Sequence, residues 1–196
     1  MKIISLEGPD FSGKSTLSTA IVMKFREEGK KVERMELPSR LVTGIFTELL
    51  RNSKDKIDPK VFALVYSADH LNHHLSIKDK NHSDFLILER SVVSLFVYQS
   101  MVLGVDEEWI KELNKFNQTV PNMTIIVKVP EEELIRRSKI RVGIKDSFEK
   151  VNFMKKVIRA YYNLPQWLID TYHVKYLDWR DLPKTVEEIF ELSKDL

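Results

Sequence analysis

The stretch Gly8-Pro9-Asp10-Phe11-Ser12-Gly13-Lys14-Ser15-Thr16 fits the phosphate-binding pattern G-x-x-x-x-G-K-[ST] at every required position. In such a loop the glycines let backbone N–H groups turn toward phosphate oxygens, the lysine reaches the β- and γ-phosphates, and the serine hydroxyl can ligate Mg²⁺. An apolar run at residues 2–7 precedes the stretch, and a segment with helical spacing at residues 17–28 follows it. This order places the partial positive charge of a helix N-terminus against the anion. We therefore predict that the nucleotide is bound by seven residues, of which the lysine is also catalytic: Gly8, Asp10, Ser12, Gly13, Lys14, Ser15 and Thr16.

The composition is that of an ordinary globular chain of 196 residues, with 43% apolar and 31% charged residues. This length favours one α/β domain over residues 1–196. No apolar run reaches the roughly 20 residues of a membrane span, and the amino terminus lacks the features of a signal peptide. The absence of cysteine excludes disulfides and thiolate metal sites, and a net charge of +2 gives no electrostatic case for nucleic-acid binding. We expect a cytoplasmic protein without a membrane or nucleic-acid partner.

Strand and helix patterns alternate along the chain. Runs typical of buried strands lie at residues 2–7, 31–37, 84–90, 123–129 and 174–177. Segments with helical spacing separate and follow these runs, among them one at about residues 91–102 and a long one that follows Glu149 and extends to about Asp170. The alternation predicts a parallel sheet of about five strands, with helices on both faces and right-handed crossovers. Ligands of such folds bind at the carboxyl edge of the sheet.

Charged residues follow two of the predicted strands at this edge. Arg40 follows the second strand, and Glu89 and Arg90 end the third. Both guanidinium groups can therefore face the phosphate of a second substrate, across from the nucleotide. Glu89 can hold Mg²⁺ together with Ser15, directly or through water. The alternatives are a surface ion pair for each arginine and a structural pair of Glu89 with Arg90 or Lys14.

A basic segment after the fourth strand can close over the triphosphate as a lid at about residues 136–148. Positive charge there would offset the charge that develops during phosphoryl transfer. A solvated helix face is the alternative interpretation. The cations of the segment are Arg136, Arg137, Lys139, Arg141 and Lys145.

The segment at about residues 60–80 is predicted to be a long helix with a polar and aromatic side. Tyr66 and His70 lie one turn apart on it and can stack on and hydrogen-bond to a nucleobase, although core packing is the alternative for Tyr66. His70, His73 and His74 have helical spacing that can form a metal site. We do not predict zinc there, because no other histidine or cysteine is near in sequence and the loop already accounts for Mg²⁺.

Taken together, these stretches resemble the thymidylate kinase family of nucleoside monophosphate kinases over most of the chain. Residues 7–16 (EGPDFSGKST) are similar to the family pattern E-G-x-D-x-x-G-K-S-T, and residues 64–70 (LVYSADH) are similar to L-L-F-x-A-D-R. Residues 88–91 (LERS) resemble D-R-Y/H, and residues 97–99 (VYQ) resemble A-Y-Q. Residues 121–124 (PNMT) are similar to P-D-L-T, and residues 146–149 (DSFE) are similar to D-R-F-E.

The resemblance implies a P-loop kinase fold with a lid, ATP and Mg²⁺ as cofactors, small nucleotides as partners, and a homodimer that pairs through helices. It implies that the sugar 3′-hydroxyl binds to Asp10 and that the base stacks on Tyr66. The remaining members of the implied acceptor site are the phosphate-binding Arg40 and Arg90, with His70, Ser94 and Tyr98 near the sugar and base.

Within the strings quoted above, the sequence departs from the family pattern at three functional positions. His70 stands where the family has the arginine that contacts the thymine edge, and Glu89 stands where it has aspartate. Ser147 replaces the arginine of the lid, and neither residue 11 nor residue 12 is an arginine. The role of the catalytic arginine therefore falls on the remaining lid cations, which are Arg137, Arg141 and Lys145.

The residues predict transfer of the γ-phosphate of MgATP to a deoxynucleoside monophosphate, either dTMP or a related pyrimidine nucleotide. One alternative is a deoxynucleoside kinase, because residues 88–92 also resemble the E-R-S string of those enzymes and Glu36-Leu37-Pro38 is a looser match to their E-P. A neutral hydroxyl acceptor would then require Glu36 or Glu89 as a base. A nucleotide-binding protein without transfer activity is the other alternative.

Overall fold

The structure is a computed structural model, and it describes residues 1–78, 82–117, 119–140 and 151–196. Within these ranges the strands are β1 (Lys2–Glu7), β2 (Val32–Glu36), β3 (Phe85–Glu89), β4 (Met123–Lys128) and β5 (Val174–Asp178). The helices are α1 (Lys14–Glu27), α2 (Val42–Arg51), α3 (Pro59–Lys78), α4 (Val92–Leu95), α5 (Glu107–Asn114), α6 (Glu131–Ile140), α7 (Val151–Tyr162), α8 (Gln166–Thr171) and α9 (Leu182–Ser193). A π-helical segment, Phe96–Val102, continues α4.

The strands form one parallel sheet in the order β2-β3-β1-β4-β5. β1 lies at its centre, where Ser5 is opposite Leu88 of β3 on one side and Thr124 of β4 on the other. The carboxyl ends of β1 and β3 are therefore neighbours, and the residues that follow them must meet. The predicted five-stranded parallel sheet is confirmed.

Apolar side chains are buried on both faces of the sheet. Because successive residues of a strand point to opposite faces, Ile125 and Val127 join a buried cluster with α1 and α9, whereas Ile126 joins a second cluster with α5, α7 and α8. Helices thus cover both faces, as predicted. These two clusters hold the carboxyl ends of the central strands in fixed positions, and the candidate site lies directly beyond those ends.

The prediction of one long helix up to Asp170 is wrong. α7 ends at Tyr162, and a separate helix, α8, begins at Gln166. Pro165 lies between them, and a proline lacks the N–H group that an interior helical position would donate and disfavours helical backbone at the preceding residue.

The predicted helix at residues 91–102 is present but is not uniform. Ser91 caps the start of α4 by accepting a hydrogen bond from the backbone N–H of Val93, and the chain then widens into the π-helical segment. Such segments occur frequently at functional sites, and this one carries Tyr98 and Gln99. No helix in the described ranges has both the length and the apolar character needed to cross a lipid bilayer.

Candidate functional site

Three separate stretches of sequence meet at the carboxyl edge of the sheet. β1 leads into the loop at residues 8–13, β2 leads into residues 37–41, and β3 leads into Arg90. Two cavities open there. The first, which we call the loop cavity, is lined by the phosphate-binding loop together with Arg40, Glu89 and Arg90. The second, which we call the inner cavity, is lined by residues from the loop, α2, α3 and the π-helical segment.

The loop has backbone conformations that its glycines permit. Gly8 has a φ of +143° and Gly13 a φ of +90°, a region that residues with a side chain rarely adopt. A Cβ atom on Gly8 would also lie 3.2 Å from the hydroxyl oxygen of Ser12. α1 begins at Lys14, directly after Gly13, so the unpaired N–H groups of its first turn are available at the loop. A helix N-terminus in this position is suited to binding phosphate.

Lys14 lies at the loop with its side chain held by backbone oxygens. Its Nζ atom donates hydrogen bonds to the carbonyl oxygens of Gly8 at 3.0 Å and of Pro9 at 2.8 Å. Burial, and after it the charge of Arg90, lowers the pKa of Lys14 to about 7. A polyphosphate bound in the loop would supply negative charge that favours the protonated amine.

The carboxylate of Glu89 is bound by two serines of α1 and by an arginine of β2. It accepts hydrogen bonds from Ser15 Oγ at 2.7 Å, from Ser18 Oγ, and from Arg34 Nε at 2.7 Å. Burial would raise the pKa of Glu89, but the hydrogen bonds from Ser18, Ser15 and Arg34 outweigh burial and lower it. In the described part of the chain, the ion-pair partner of Glu89 is therefore Arg34, rather than either of the two cations considered from the sequence.

The oxygen atoms at this point suit Mg²⁺. Ser15 Oγ and Glu89 Oε2 are 2.7 Å apart beside the loop cavity, so a hydroxyl and a carboxylate stand next to each other. Across the described ranges, no group of three or more histidine, aspartate or glutamate side chains is arranged to hold a metal ion. A magnesium ion bound here would therefore complete its shell with phosphate oxygens and water, as Mg²⁺ does in many nucleotide sites.

Arg90 is fixed between the loop and the π-helical segment. Its side chain is only 16% exposed and forms an ion pair with Asp10. The guanidinium group also donates hydrogen bonds to Tyr161 Oη at 3.1 Å and to Ser94 Oγ at 3.3 Å. The φ of Arg90 is +70°, a strained conformation for a residue with a side chain, and such strain clusters at functional sites. Arg90 is thus held in one position by its surroundings.

A buried carboxylate, that of Glu7, organises the groups around Arg90. Glu7 accepts hydrogen bonds from the N–H of Ser91 at 2.6 Å, from Ser94 Oγ at 2.7 Å and from Tyr161 Oη at 3.0 Å. Tyr161 and Ser94 therefore each contact both Glu7 and Arg90. Ser94, which was predicted to belong to the acceptor site, also lines the inner cavity. Its hydroxyl group donates its hydrogen to Glu7.

Arg40 lies at the loop cavity but is not fixed as Arg90 is. Its side chain is 86% exposed, and its Nε atom donates to Glu36 Oε1 at 2.8 Å. The segment that carries it is held more firmly than its side chain. The buried carboxylate of Asp69 on α3 accepts hydrogen bonds from the N–H of Ser39 at 2.7 Å and from Thr43 Oγ1 at 2.7 Å. The backbone next to Arg40 is therefore tied to α3.

The inner cavity, counted together with the solvent-open space at its mouth, comprises about 480 Å³ that no protein atom occupies. It brings together all the predicted acceptor-binding residues except Arg40, namely Asp10, Tyr66, His70, Arg90, Ser94 and Tyr98. The ring of Tyr66 is partly exposed to this space, so it is not simply a core residue. The cavity is also lined by residues for which the sequence predicted no role in the site, which are Leu37, Pro38, Arg51, Leu95 and Gln99.

Two polar side chains of the inner cavity are almost fully buried. Burial lowers the pKa of His70 to about 4, so its imidazole is uncharged at neutral pH. Gln99 is 1% exposed, and its Oε1 atom has no hydrogen-bond partner among the described residues. Buried polar atoms are nearly always hydrogen-bonded. Gln99 thus lines the inner cavity with a side chain whose amide oxygen the described residues leave unsatisfied.

Among the predicted lid cations in the described part of the chain, Arg137 contacts the loop. Its Nη1 atom donates to the carbonyl oxygen of Phe11 at 3.3 Å, and its Nε atom donates to Glu133 Oε1 at 2.7 Å. Its guanidinium group also lies 5.6 Å from the ring centre of Trp179. Arg136 is more exposed and pairs with Glu133. Lys139, in the last turn of α6, is exposed. The remaining lid residues named above lie outside the described residues: Arg141, Lys145 and Ser147.

Several residues of the site carry no clear signal in the sequence. Arg34 lies in β2, where charged and apolar residues are mixed, as they also are in a strand with one solvent-exposed face. Tyr161 is an aromatic residue in an amphipathic helix, and core packing alone would explain its presence there. Gln99 offers the clearest local signal, because it is a polar residue directly after the apolar run of residues 95–98. Partners that are distant in sequence, such as Arg34 and Glu89, become visible only when the strands pair.

The chain matches known proteins over almost its whole length. A family model described as "Thymidylate kinase" matches residues 6–179. A "Probable thymidylate kinase" of Sulfolobus acidocaldarius is 35% identical over 164 residues, which cover 84% of this chain and 82% of that protein. A second "Probable thymidylate kinase", of Methanocaldococcus jannaschii, is 33% identical over 95% of this chain and 90% of its own. A "Thymidylate kinase" of Lactobacillus delbrueckii subsp. bulgaricus is 29% identical over 97% and 94% of the two chains.

Proposed function

The chain belongs to the thymidylate kinase family, and on that premise we propose that it transfers the γ-phosphate of MgATP to dTMP, giving dTDP and ADP. The observation that carries the proposal is the junction of the two cavities. The loop cavity and the inner cavity share Asp10, Leu37, Pro38 and Arg90. A triphosphate in the first and a monophosphate in the second would therefore bring their phosphates together at Arg90.

The groups at this junction suit a transfer between two anions. The attacking oxygen of a monophosphate is already ionised, so the protein needs to align the phosphates, reduce their repulsion and exclude water. Lys14 and the N-terminus of α1 would hold the triphosphate, and Arg90 would hold the acceptor phosphate. Mg²⁺, bound at Ser15 and Glu89, would screen charge on the β- and γ-phosphates. Arg137 would add positive charge from the side of Phe11.

The sugar and base would occupy the inner cavity. Asp10 would accept a hydrogen bond from the 3′-hydroxyl, and the ring of Tyr66 would stack on the base. Tyr98, whose ring lies 5.3 Å from the guanidinium carbon of Arg90, would pack against the sugar. His70 and Gln99 supply hydrogen-bonding groups for the edge of the base.

The carboxylates that a nucleoside kinase would need as a base are both engaged by arginines. Glu36 pairs with Arg40 at 2.8 Å, and Glu89 pairs with Arg34 while also accepting hydrogen bonds from Ser15 and Ser18. Glu89 is a weaker proton acceptor in this arrangement, because the hydrogen bonds from Ser18, Ser15 and Arg34 outweigh burial and lower its pKa. The geometry therefore favours a monophosphate acceptor over a nucleoside.

Turnover of dTMP with ATP and Mg²⁺ is expected to exceed turnover of free thymidine by at least about 10²-fold in kcat/KM, because only the monophosphate reaches Arg90 with a charged group. The measurement is ADP release, coupled to a reporter reaction, with thymidine, dTMP and dTDP as acceptors. Release of ADP without acceptor serves as the control. Faster phosphorylation of thymidine than of dTMP would contradict the proposal.

We further propose a cytoplasmic homodimer that pairs through α2 and α3. Both helices expose apolar side chains in helical register, at Val42, Phe46 and Leu49 on α2 and at Val61 and Leu64 on α3. The two helices pack against each other. Exposed apolar side chains on neighbouring helices are suited to an interface, and two copies of one patch can cover each other around a two-fold axis.

The substitution Leu64→Glu is expected to raise the dimer dissociation constant by at least about 10²-fold, because each subunit would bury a charge at the interface. Analytical ultracentrifugation over a range of concentrations gives this constant. Met23→Glu is the matched control, since Met23 is an exposed apolar residue on α1, and this variant should associate like the parent. A Leu64→Glu protein that remains dimeric would show that the partner lies elsewhere.

A further inference from the structure

Two uncharged side chains, His70 and Gln99, line the inner cavity together with the ring of Tyr66. Their exposures are 4% and 1%, so both depend on partners inside the protein or on a ligand. The Oε1 atom of Gln99 has no such partner among the described residues. An unsatisfied buried carbonyl carries a free-energy penalty, which a base that donates a hydrogen bond to Gln99 would relieve.

Imidazole and amide groups can each act as a donor or as an acceptor. A neutral imidazole carries one N–H group and one bare nitrogen, and the tautomer decides which of them faces a ligand. The amide of a glutamine presents either its oxygen or its NH₂ group, depending on its rotation. Burial keeps His70 in the neutral form in which this choice exists. A guanidinium or ammonium group, in contrast, can only donate.

The two common pyrimidine edges have opposite hydrogen-bonding patterns. Thymine and uracil present the O4 acceptor next to the N3–H donor, whereas cytosine presents the N4 amino donor next to the bare N3 acceptor. A site with fixed donors or acceptors fits one pattern and leaves a buried group unpaired with the other, which costs heavily. Two groups that both reverse their roles can match either edge.

Charged groups also line the inner cavity. Arg90 and Asp10 pair with each other beside the loop, and Arg51 is a further member of the lining. The carboxylate of Asp69, the neighbour of His70 on α3, is bound to Ser39 and Thr43. The inner cavity therefore combines charged groups with the uncharged side chains of His70 and Gln99.

We propose that the acceptor site is not restricted to 4-oxo pyrimidines and also takes dCMP, with His70 and Gln99 reversing their hydrogen-bonding roles together. This specificity rests on the proposed function and defines the acceptor class of the same site as pyrimidine deoxynucleoside monophosphates. The reaction is the same transfer, with the acceptor phosphate attacking the γ-phosphorus of MgATP and ADP leaving.

Comparison of dCMP with dUMP tests this proposal, because both lack the 5-methyl group of dTMP and differ only at positions 3 and 4 of the ring. The expected kcat/KM for dCMP lies within about tenfold of that for dUMP, since neither base leaves a buried group unpaired. A value for dCMP that is more than tenfold below dUMP would overturn the proposal and leave dTMP phosphorylation intact. If dTMP, dUMP and dCMP all fail to release ADP, the proposed function itself is wrong.

Two substitutions at His70 provide a matched pair. His70→Gln keeps a group that can donate or accept, so the ratio of dCMP to dUMP should stay within about tenfold. His70→Arg provides only donors, and the ratio should fall by about 10- to 100-fold, or about 1.4–2.8 kcal/mol, as expected for one mismatched hydrogen-bonding pair. Dissociation constants of both nucleotides, measured by calorimetry without ATP, should show the same change.

Thermal melting followed by circular dichroism establishes whether each variant is folded. A folded His70→Arg protein with an unchanged ratio would refute the assignment of the base edge to His70. If this variant does not fold, the wild-type comparison of dCMP with dUMP still decides the proposal.

Discussion

Replacing Arg90 with methionine is expected to lower kcat/KM for dTMP by about 10³-fold, or about 4 kcal/mol of transition-state stabilisation. The guanidinium group stands where the loop cavity and the inner cavity join, and it is held there by Asp10, Ser94 and Tyr161. Its charge is therefore positioned in advance, and most of its interaction with the migrating phosphate is available in the transition state. Methionine keeps much of the length of the side chain and removes the charge.

Comparison with other arginine variants separates position from charge. Arg90→Lys retains the charge but not the planar, two-pronged donor geometry, so an intermediate loss is expected. Arg40→Met should cost only about tenfold, because the 86% exposed side chain of Arg40 is screened by water and bound to Glu36. Because Arg90→Met removes the ion pair with Asp10, the melting temperature is measured alongside. Wild-type kcat/KM in a folded Arg90→Met protein would exclude Arg90 as the acceptor-phosphate ligand.

The second large effect is expected at the loop, where Lys14→Met should lower kcat by about 10³-fold. The ammonium group of Lys14 lies within the loop, bound to the oxygens of Gly8 and Pro9, and it can turn to the phosphates without rearrangement of the backbone. Single-turnover measurement of ADP formation reports the chemical step, and calorimetry reports ATP binding separately. A variant that keeps more than a tenth of the parent kcat would contradict a catalytic role for Lys14.

The pH dependence of ATP binding provides an independent test of the same group. The pKa of Lys14 is about 7 in the protein without nucleotide, because burial and the charge of Arg90 favour the neutral amine. Bound phosphates favour the ammonium form and raise this pKa, so above pH 7 binding takes up a proton and affinity falls as pH rises. Below pH 7 the amine is already charged and this contribution disappears.

Calorimetry at pH 8 in two buffers with different ionisation enthalpies measures the proton uptake. The titration of ATP itself lies mainly below this pH, since the second pKa of a phosphate is about 6. In the Lys14→Met protein the buffer dependence should vanish. Equal proton uptake by parent and variant would assign the titration to another group.

The order of elements could be read from the sequence because each carries a local pattern. The apolar runs of β1 and β3 and the helical spacing of α1 depend on neighbouring residues alone, and both strands were placed within one residue of their observed bounds. The break between α7 and α8 was missed although Pro165 marks it. The helical spacing of the side chains continues across this proline, but the missing N–H group and the ring of a proline interrupt a continuous helix.

Parts of the site that lie close together in the chain could be predicted from the sequence, whereas contacts between distant residues could not. The residues of the loop form a local motif, whereas the acceptor site on α3 and the π-helical segment was predicted through the family resemblance, and the residues predicted there line one cavity. Arg34 was missed because nothing in β2 indicates that its side chain meets Glu89, 55 positions later. Gln99 was quoted within a motif, but its buried, unpaired oxygen exists only because the packed chain surrounds it.

By itself, the sequence determined the parallel α/β architecture, the phosphate-binding loop and the family, since these depend on local periodicity and on short motifs with a fixed spacing. Only the tertiary structure decided which charges neutralise one another and which cavity each side chain lines. Arg90 pairs with Asp10, and Glu89 with Arg34, because parallel strands that are distant in sequence end at the same edge of the sheet. Ion pairing, burial and pKa depend on distances in space, and a chain acquires those distances only when it folds.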